Sequence, residues 1–186
     1  MMPAINRRLL LVLLAAAGLH APSPLSAAGP TEYEVKAAFI YNFAKYVQWP
    51  SSGADTTGPV VIAVIGKDPF GPILDDVMHG QNVGRRTIVI RRFQRIDDVA
   101  ACNVLFISSS ERPNVHRIFE VLRHAPVLTI GDMDRFAEQG GMINLFAEDN
   151  RIRFEMNPDA MQRVGLKAGS QLYRLARIVN ESPAAR

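Results

Sequence analysis

The run Val60-Val-Ile-Ala-Val-Ile65 constrains this chain more than any other feature: six consecutive apolar residues, mostly β-branched, with no polar alternation. A strand of that kind is buried on both faces, so its sheet must carry helices above and below. Further runs of strand length follow at Thr87–Ile90, Val104–Ile107 and Val127–Ile130. Helical patterns over 70–78, 115–122 and 133–138 are interleaved with them. This alternation predicts an α/β fold, a three-layer sandwich around a mostly parallel central sheet, in a flavodoxin-like or related strand order. Gly141–Phe146 and Arg151–Met156 flank a polar turn, and the second run alternates polar with apolar. Together they predict an antiparallel hairpin at one edge.

Helix boundaries are marked by local chemistry. Thr31 and Glu34 form a capping box ahead of KAAFIYNFAKYVQWP, so the spacing predicts a helix that runs to about Gln48 and stops before Pro50. At 100° per residue, Val35, Phe39, Ile40, Phe43, Tyr46 and Val47 share an apolar arc, with Glu34, Lys45 and Gln48 opposite. Tyr41 falls among the polar residues and Trp49 lies beyond the stripe. Both are expected to face a second copy or a partner, where such aromatics are enriched. Asp68 and Pro69 read as a cap and first helical position, Ser110 as another cap, and Asn157-Pro158 as a helix start that Gly165 ends. Ser170 is expected to cap a last helix over 171–179.

The first 28 residues are of another kind. Arg7 and Arg8 precede Leu9–Leu19, an apolar stretch too short to span a bilayer, and Ser26-Ala-Ala28 offers small residues for cleavage. This predicts a secretory leader over 1–28, one α/β domain over 29–180 and a disordered tail over 181–186, in the periplasm. Without the leader the chain has 19 Lys and Arg against 18 Asp and Glu, which removes the charge argument for a nucleic-acid partner. Cys102 is the single cysteine, so no intramolecular disulfide can form; a buried inert thiol is expected, with a disulfide between two chains as the alternative.

Catalytic and metal patterns do not emerge. Gly66-Lys-Asp-Pro-Phe-Gly71 lacks the ending of a phosphate-binding loop. His79, His116 and His124 lack the spacing of a metal site, and Asp132-Met-Asp134 offers too few oxygen ligands for a cation. Ser108-Ser-Ser110 has no evident base. The reading is of a non-enzyme with no cofactor and no metal. In an open α/β sheet, however, ligands bind beyond the carboxyl ends of the strands. Lys67, Asp68, Ser108, Ser109, Glu111 and Asp132 are therefore expected to line a cleft for a small polar or anionic ligand. Arg85, Arg86, Arg91 and Arg92 form a basic segment on and near the second strand. It is either a solvated sheet edge or a surface for an anionic partner.

The order of YEVKAAFIYNFAKYVQWP, VIAVIGKDPFG, GRRTIVIRR, CNVLFISSSE, VLTIGDMDRFAEQGGMINLF and NRIRFEMNPDAMQRVGLKAGSQLYRLARIV resembles the YfiR-like family of exported bacterial proteins, from about Tyr33 to Val179. The resemblance implies a periplasmic repressor that binds the periplasmic sensor region of an inner-membrane diguanylate cyclase and lowers cyclic-di-GMP, restraining biofilm. It also implies a homodimer and an outer-membrane lipoprotein that can sequester the repressor. A membrane histidine kinase is the alternative partner, and a small-ligand binding module the alternative function. The family's repressor carries several cysteines in disulfides. This chain has only Cys102, so redox control by intramolecular disulfides is not expected.

Overall fold

A computed structural model describes residues 29–50, 58–96 and 102–180. The expected leader over 1–28, most of the loop at 51–58 and the tail over 181–186 lie outside the described residues. The chain runs through α1 (Glu32–Tyr46), β1 (Val47–Gln48), β2 (Val60–Ile65), α2 (Ile73–Met78), β3 (Asn82–Val83), β4 (Arg86–Phe93) and β5 (Val104–Ile107). A short 3-10 helix over Ser109–Asn114 leads into α3 (Val115–Val121), β6 (Leu128–Gly131), β7 (Ile143–Glu148), β8 (Arg151–Met156), α4 (Pro158–Arg163), β9 (Lys167–Ala168), α5 (Ser170–Leu175) and β10 (Arg177–Ile178).

Eight strands form one sheet in the order β10-β8-β7-β6-β5-β2-β4-β3. From β4 to β7 every neighbouring pair is parallel, and these strands follow the doubly wound, flavodoxin-like order. β7 and β8 pair antiparallel from Ile143↔Met156 to Glu148↔Arg151, as their alternation predicts. The hairpin is not the outermost element, because β10 adds in parallel beside β8. A small second sheet joins β1 to β9, with Val47 opposite Ala168.

The central strands divide their side chains between two cores. Ile62, Val64, Val104 and Phe106 meet Ile40 and Phe43 of α1, Leu74 of α2 and Met161 of α4. Ala63, Ile65, Leu105 and Ile107 meet Val115 and Ile118 of α3, together with Met133 and Phe136. The three layers follow from burial of β2 and β5 on both faces. Edge-to-face rings reinforce the first core, with Phe43 and Phe154 5.0 Å apart and Phe70 and Phe106 4.8 Å apart.

Several boundaries differ from the sequence reading, each for a local reason. The capping box at Thr31 forms, but α1 ends at Tyr46, because Val47 and Gln48 turn extended to pair with β9. Its buried face is Lys36, Ala37, Ile40, Phe43 and Ala44, rotated away from the expected arc, and Tyr46 is exposed. Asp68 does not cap a helix. Its Oδ1 accepts from the Phe70 N–H in a turn, and α2 starts later, after Pro72. Ser108, not Ser110, caps the 3-10 helix. The pattern over 133–138 folds as turns: Arg135 adopts φ 59° and the Phe136 ring packs where Cβ atoms on Gly131 and Gly141 would lie 2.8 and 2.3 Å away. Asn157 caps α4, and Gly165 (φ 76°) follows it as expected. Gly169 takes the cap position assigned to Ser170, and α5 stops at Leu175 so that the chain can enter β10.

Candidate ligand cleft and partner surfaces

The parallel strands reverse their order of addition at β2, with β4 on one side and β5 on the other. The crevice between β2 and β5 is thus the switch point where ligands commonly bind. Lys67 and Ser108 meet there. The Ser108 hydroxyl donates to the Lys67 carbonyl at 2.7 Å, and the Lys67 N–H donates to Ser110 Oγ at 2.9 Å. Gly66 makes this approach possible: at φ 85°, an added Cβ would lie 2.5 Å from Ser110 Oγ and 2.8 Å from Glu111 Cγ. Glu111 accepts from Asn114 Nδ2 at 3.0 Å, and Ser109 is exposed beside it. The two loops are thus laced together by their own hydrogen bonds.

Asp68 and Asp132 are engaged differently from the other four expected residues. Asp68 Oδ2 accepts from Arg92 Nε at 2.6 Å. Arg92 also reaches Asp75 and the Gly71 carbonyl, so the second strand is fastened to the loop before α2. The Asp75 and Asp68 hydrogen bonds hold the Arg92 guanidinium above its ordinary pKa. The Asp132 carboxylate faces α1. Lys36 Nζ donates to it at 2.8 Å and the Tyr33 hydroxyl at 3.3 Å, while Glu32 sits 2.6 Å from the same ammonium. The Lys36 and Asp132 side chains are 5% and 6% exposed, a buried ion pair. Burial pulls the Lys36 pKa down, but the hydrogen bonds to Asp132 and Glu32 outweigh it and the net shift is upward. Burial, followed by the Asp132 charge, raises the Tyr33 pKa.

The remaining basic residues do not act as one patch. Arg85 is exposed at the tip of the β3–β4 hairpin, and Arg91 is exposed on β4. Arg86 folds back, donating to the Gly58 and Pro59 carbonyls at 2.6 and 2.9 Å. Tyr41 and Trp49 are both half-buried and packed against the first core. The Tyr41 hydroxyl donates to the Asn82 carbonyl at 3.2 Å, with Lys45 Nζ 5.2 Å from its ring centroid.

Two concavities lie elsewhere. A groove of about 380 Å³ is lined by Phe39, Tyr46, Phe154, Leu172 and Leu175, where α1 meets α5. Leu175 is 71% exposed, and Tyr46, Tyr173 and Ile178 are also exposed. A second cleft, of about 510 Å³, opens between α3 and α4 and has a mixed charged and apolar lining. Sequence reasoning passed over it, although His116, Phe119, Glu120 and Arg123 follow a single-face helical spacing. Lys36 was also missed as a buried group, although it stands four residues after Glu32 on the face that holds Ala37 and Ile40.

Among the described residues, no helix is long and apolar enough to cross a membrane. The YfiR/HmsC-like family profile matches residues 33–177, from the first turn of α1 into β10. That match spans both cores, the hairpin and the small second sheet. The family consists of periplasmic regulatory proteins rather than enzymes, associated in general with diguanylate cyclase control. This chain belongs to the YfiR/HmsC-like family.

Proposed function

We propose that this protein binds the periplasmic sensor region of an inner-membrane diguanylate cyclase and represses it, lowering cyclic-di-GMP and restraining biofilm formation. The observation that carries this reading is the family match over residues 33–177. On this reading a leader over 1–28 is removed on export, and the domain over 29–180 acts in the periplasm as a homodimer. An outer-membrane lipoprotein is a further partner that would sequester it.

Exposed large apolar side chains support a binding role, since Tyr46 and Leu175 line one groove and Tyr173 and Ile178 leave further apolar surface uncovered on α5 and β10. Arg85, Arg86, Arg91 and Arg92, with Tyr41 and Trp49, remain proposed contacts with the sensor or the second copy. Arg85, Arg91 and Arg92 are exposed, with Arg92 engaged by Asp68, Asp75 and the Gly71 carbonyl. Lys67, Asp68, Ser108, Ser109, Glu111 and Asp132 remain a proposed small-ligand site, whose loops would have to part to admit one. The test is affinity capture of the tagged protein from solubilised inner membranes. Recovery of a membrane protein with a diguanylate cyclase domain is expected. Recovery of a histidine kinase instead would move the partner class, and recovery of neither after mild crosslinking would count against the adaptor role.

A further inference from the structure

We propose that the outer edge of β4, from Ile88 to Arg92, is a strand-addition site for an extended, acidic segment of a partner protein. β4 is eight residues long, and β2 pairs with it from Val60↔Ile88 to Ile65↔Phe93. On its other side β3 covers only Arg86 and Thr87. The chain meets this edge only at β3: ahead of it Gly80 takes φ 70°, and the Gln81 N–H turns back to the Met78 carbonyl at 3.0 Å. Among the described residues, no strand lies beside Ile88–Phe93 on that side. The Gly66 N–H donates to the Phe93 carbonyl at 3.0 Å, so Phe93 points its backbone groups at β2. Backbone direction alternates along a strand, so Ile88, Ile90 and Arg92 point theirs outward. Those N–H and C=O groups are a template for a further strand. The opposite edge of the sheet ends in β10, whose two residues are too short to serve as one.

The side chains along this edge select its occupant. Ile88, Ile90 and Arg92 share one face of β4, where the isoleucines pack against the first core and Arg92 is held by Asp68 and Asp75. Thr87, Val89 and Arg91 share the other face, and all three are exposed. Among the described residues, no carboxylate pairs with Arg91. β4 holds three arginines and no carboxylate. A second copy adding through the same edge would gather the arginines of both chains on one ribbon, and like charges on paired strands are destabilising. An acidic segment reverses that sign. A carboxylate beside Arg91 and a β-branched residue beside Val89 are both favourable cross-strand pairs. Residues two apart face the same way, so the pattern recognised is an acidic residue, any residue, then an apolar one, in an extended chain.

The experiment titrates the purified protein with three capped peptides and reads amide NMR shifts and hydrogen exchange. The first is Thr-Glu-Thr-Val-Thr-Glu-Thr, which places Val between two Glu on one face in either strand direction. The second has Lys for both Glu, and the third is the first with its three central amides N-methylated. The first peptide is expected to saturate, shifting amides over 86–93 and slowing exchange at Ile88, Ile90 and Arg92, whereas the other two should not saturate. Arg91→Glu should weaken the first peptide about tenfold, because an attractive cross-strand pair becomes a repulsive one, while the spectrum of the free protein stays folded. Equal binding of the N-methylated peptide would reduce the contact to charge alone and overturn strand addition. Equal binding of the Lys peptide would overturn the acidic partner. Slow exchange at the same three amides without peptide, growing with protein concentration, would give the edge to a second copy and overturn the proposal. So would shifts centred elsewhere or no saturable binding by any peptide. Because the probes are synthetic and the protein is isolated, the outcome is independent of whether a cyclase is the partner.

Discussion

Lys36 sits on the buried face of α1 with its ammonium 2.8 Å from Asp132, and this pair ties the first turns of the helix to the carboxyl end of β6, beside the apolar contacts of the first core. Removing one charge strands the other in an environment that excludes water. Lys36→Met should therefore cost about 3–5 kcal/mol in urea unfolding, whereas Lys36→Met with Asp132→Leu should recover most of that loss. The pair also sets an alkaline limit. Lys36 and Tyr33 both hold their protons more tightly in the folded chain than their ordinary values of 10.5 and 10.0 allow. Their stabilisation is complete below those values and is lost as pH rises through the higher folded ones. The urea midpoint should show no loss from these groups up to about pH 10 and fall above it, and less steeply in the double variant. A midpoint that falls equally in both proteins would detach the effect from this pair. Cys102 behaves independently: burial pushes its thiol pKa up to about 12, so it stays protonated at neutral pH. A disulfide reagent should label native protein slowly and urea-unfolded protein at the rate of a free thiol.

Asn157 shows how one side chain can hold two elements. It is fully buried, its Oδ1 accepts from the Ala160 N–H at 3.0 Å to start α4, and its Nδ2 donates to the Ala137 carbonyl at 2.9 Å. Asn157→Ala should cost about 2 kcal/mol, for a lost cap and the loss of the shorter of the two bonds to the Ala137 carbonyl, which keeps only the 3.4 Å donor of Gly140, measured by thermal unfolding. A loss no larger than that of a surface change would mean that water replaces both bonds. The capping role was legible, because Asn-Pro ahead of an apolar pattern is a helix-start signal. The bond to Ala137 was not, because it depends on where the turn over 133–140 settles. That turn shows the limit plainly. Its sequence carries a helical period, but Phe136 fills the space between Gly131 and Gly141, and Arg135 must turn left-handed to place it. β2 and β5 were readable because their burial on both faces is written into consecutive apolar residues. β1, β9 and β10 were not, because two-residue strands have no period and exist only through their partners. Asp132 was expected among the ligand-cleft residues for its place after a strand. Its partner Lys36 lies ninety-six positions earlier, where no local pattern reveals it.

At the scale of the molecule, one eight-stranded sheet with a packed core on each face carries the accessible groups. Arg85 and Arg91 are exposed, and charge reversal at both should change stability by no more than about 0.5 kcal/mol, as surface substitutions usually do. If the basic strand contacts the sensor, the same double reversal should raise cellular cyclic-di-GMP toward the level of a strain lacking the gene. If it leaves repression intact, the contact lies elsewhere, and the groove lined by Tyr46 and Leu175 is the next surface to vary. The most direct test of the regulatory reading is cyclic-di-GMP itself, measured in a strain deleted for the gene and in the same strain complemented with the exported protein. Repression of a cyclase predicts a rise on deletion and a return on complementation. Cyclic-di-GMP unchanged in both strains would contradict it.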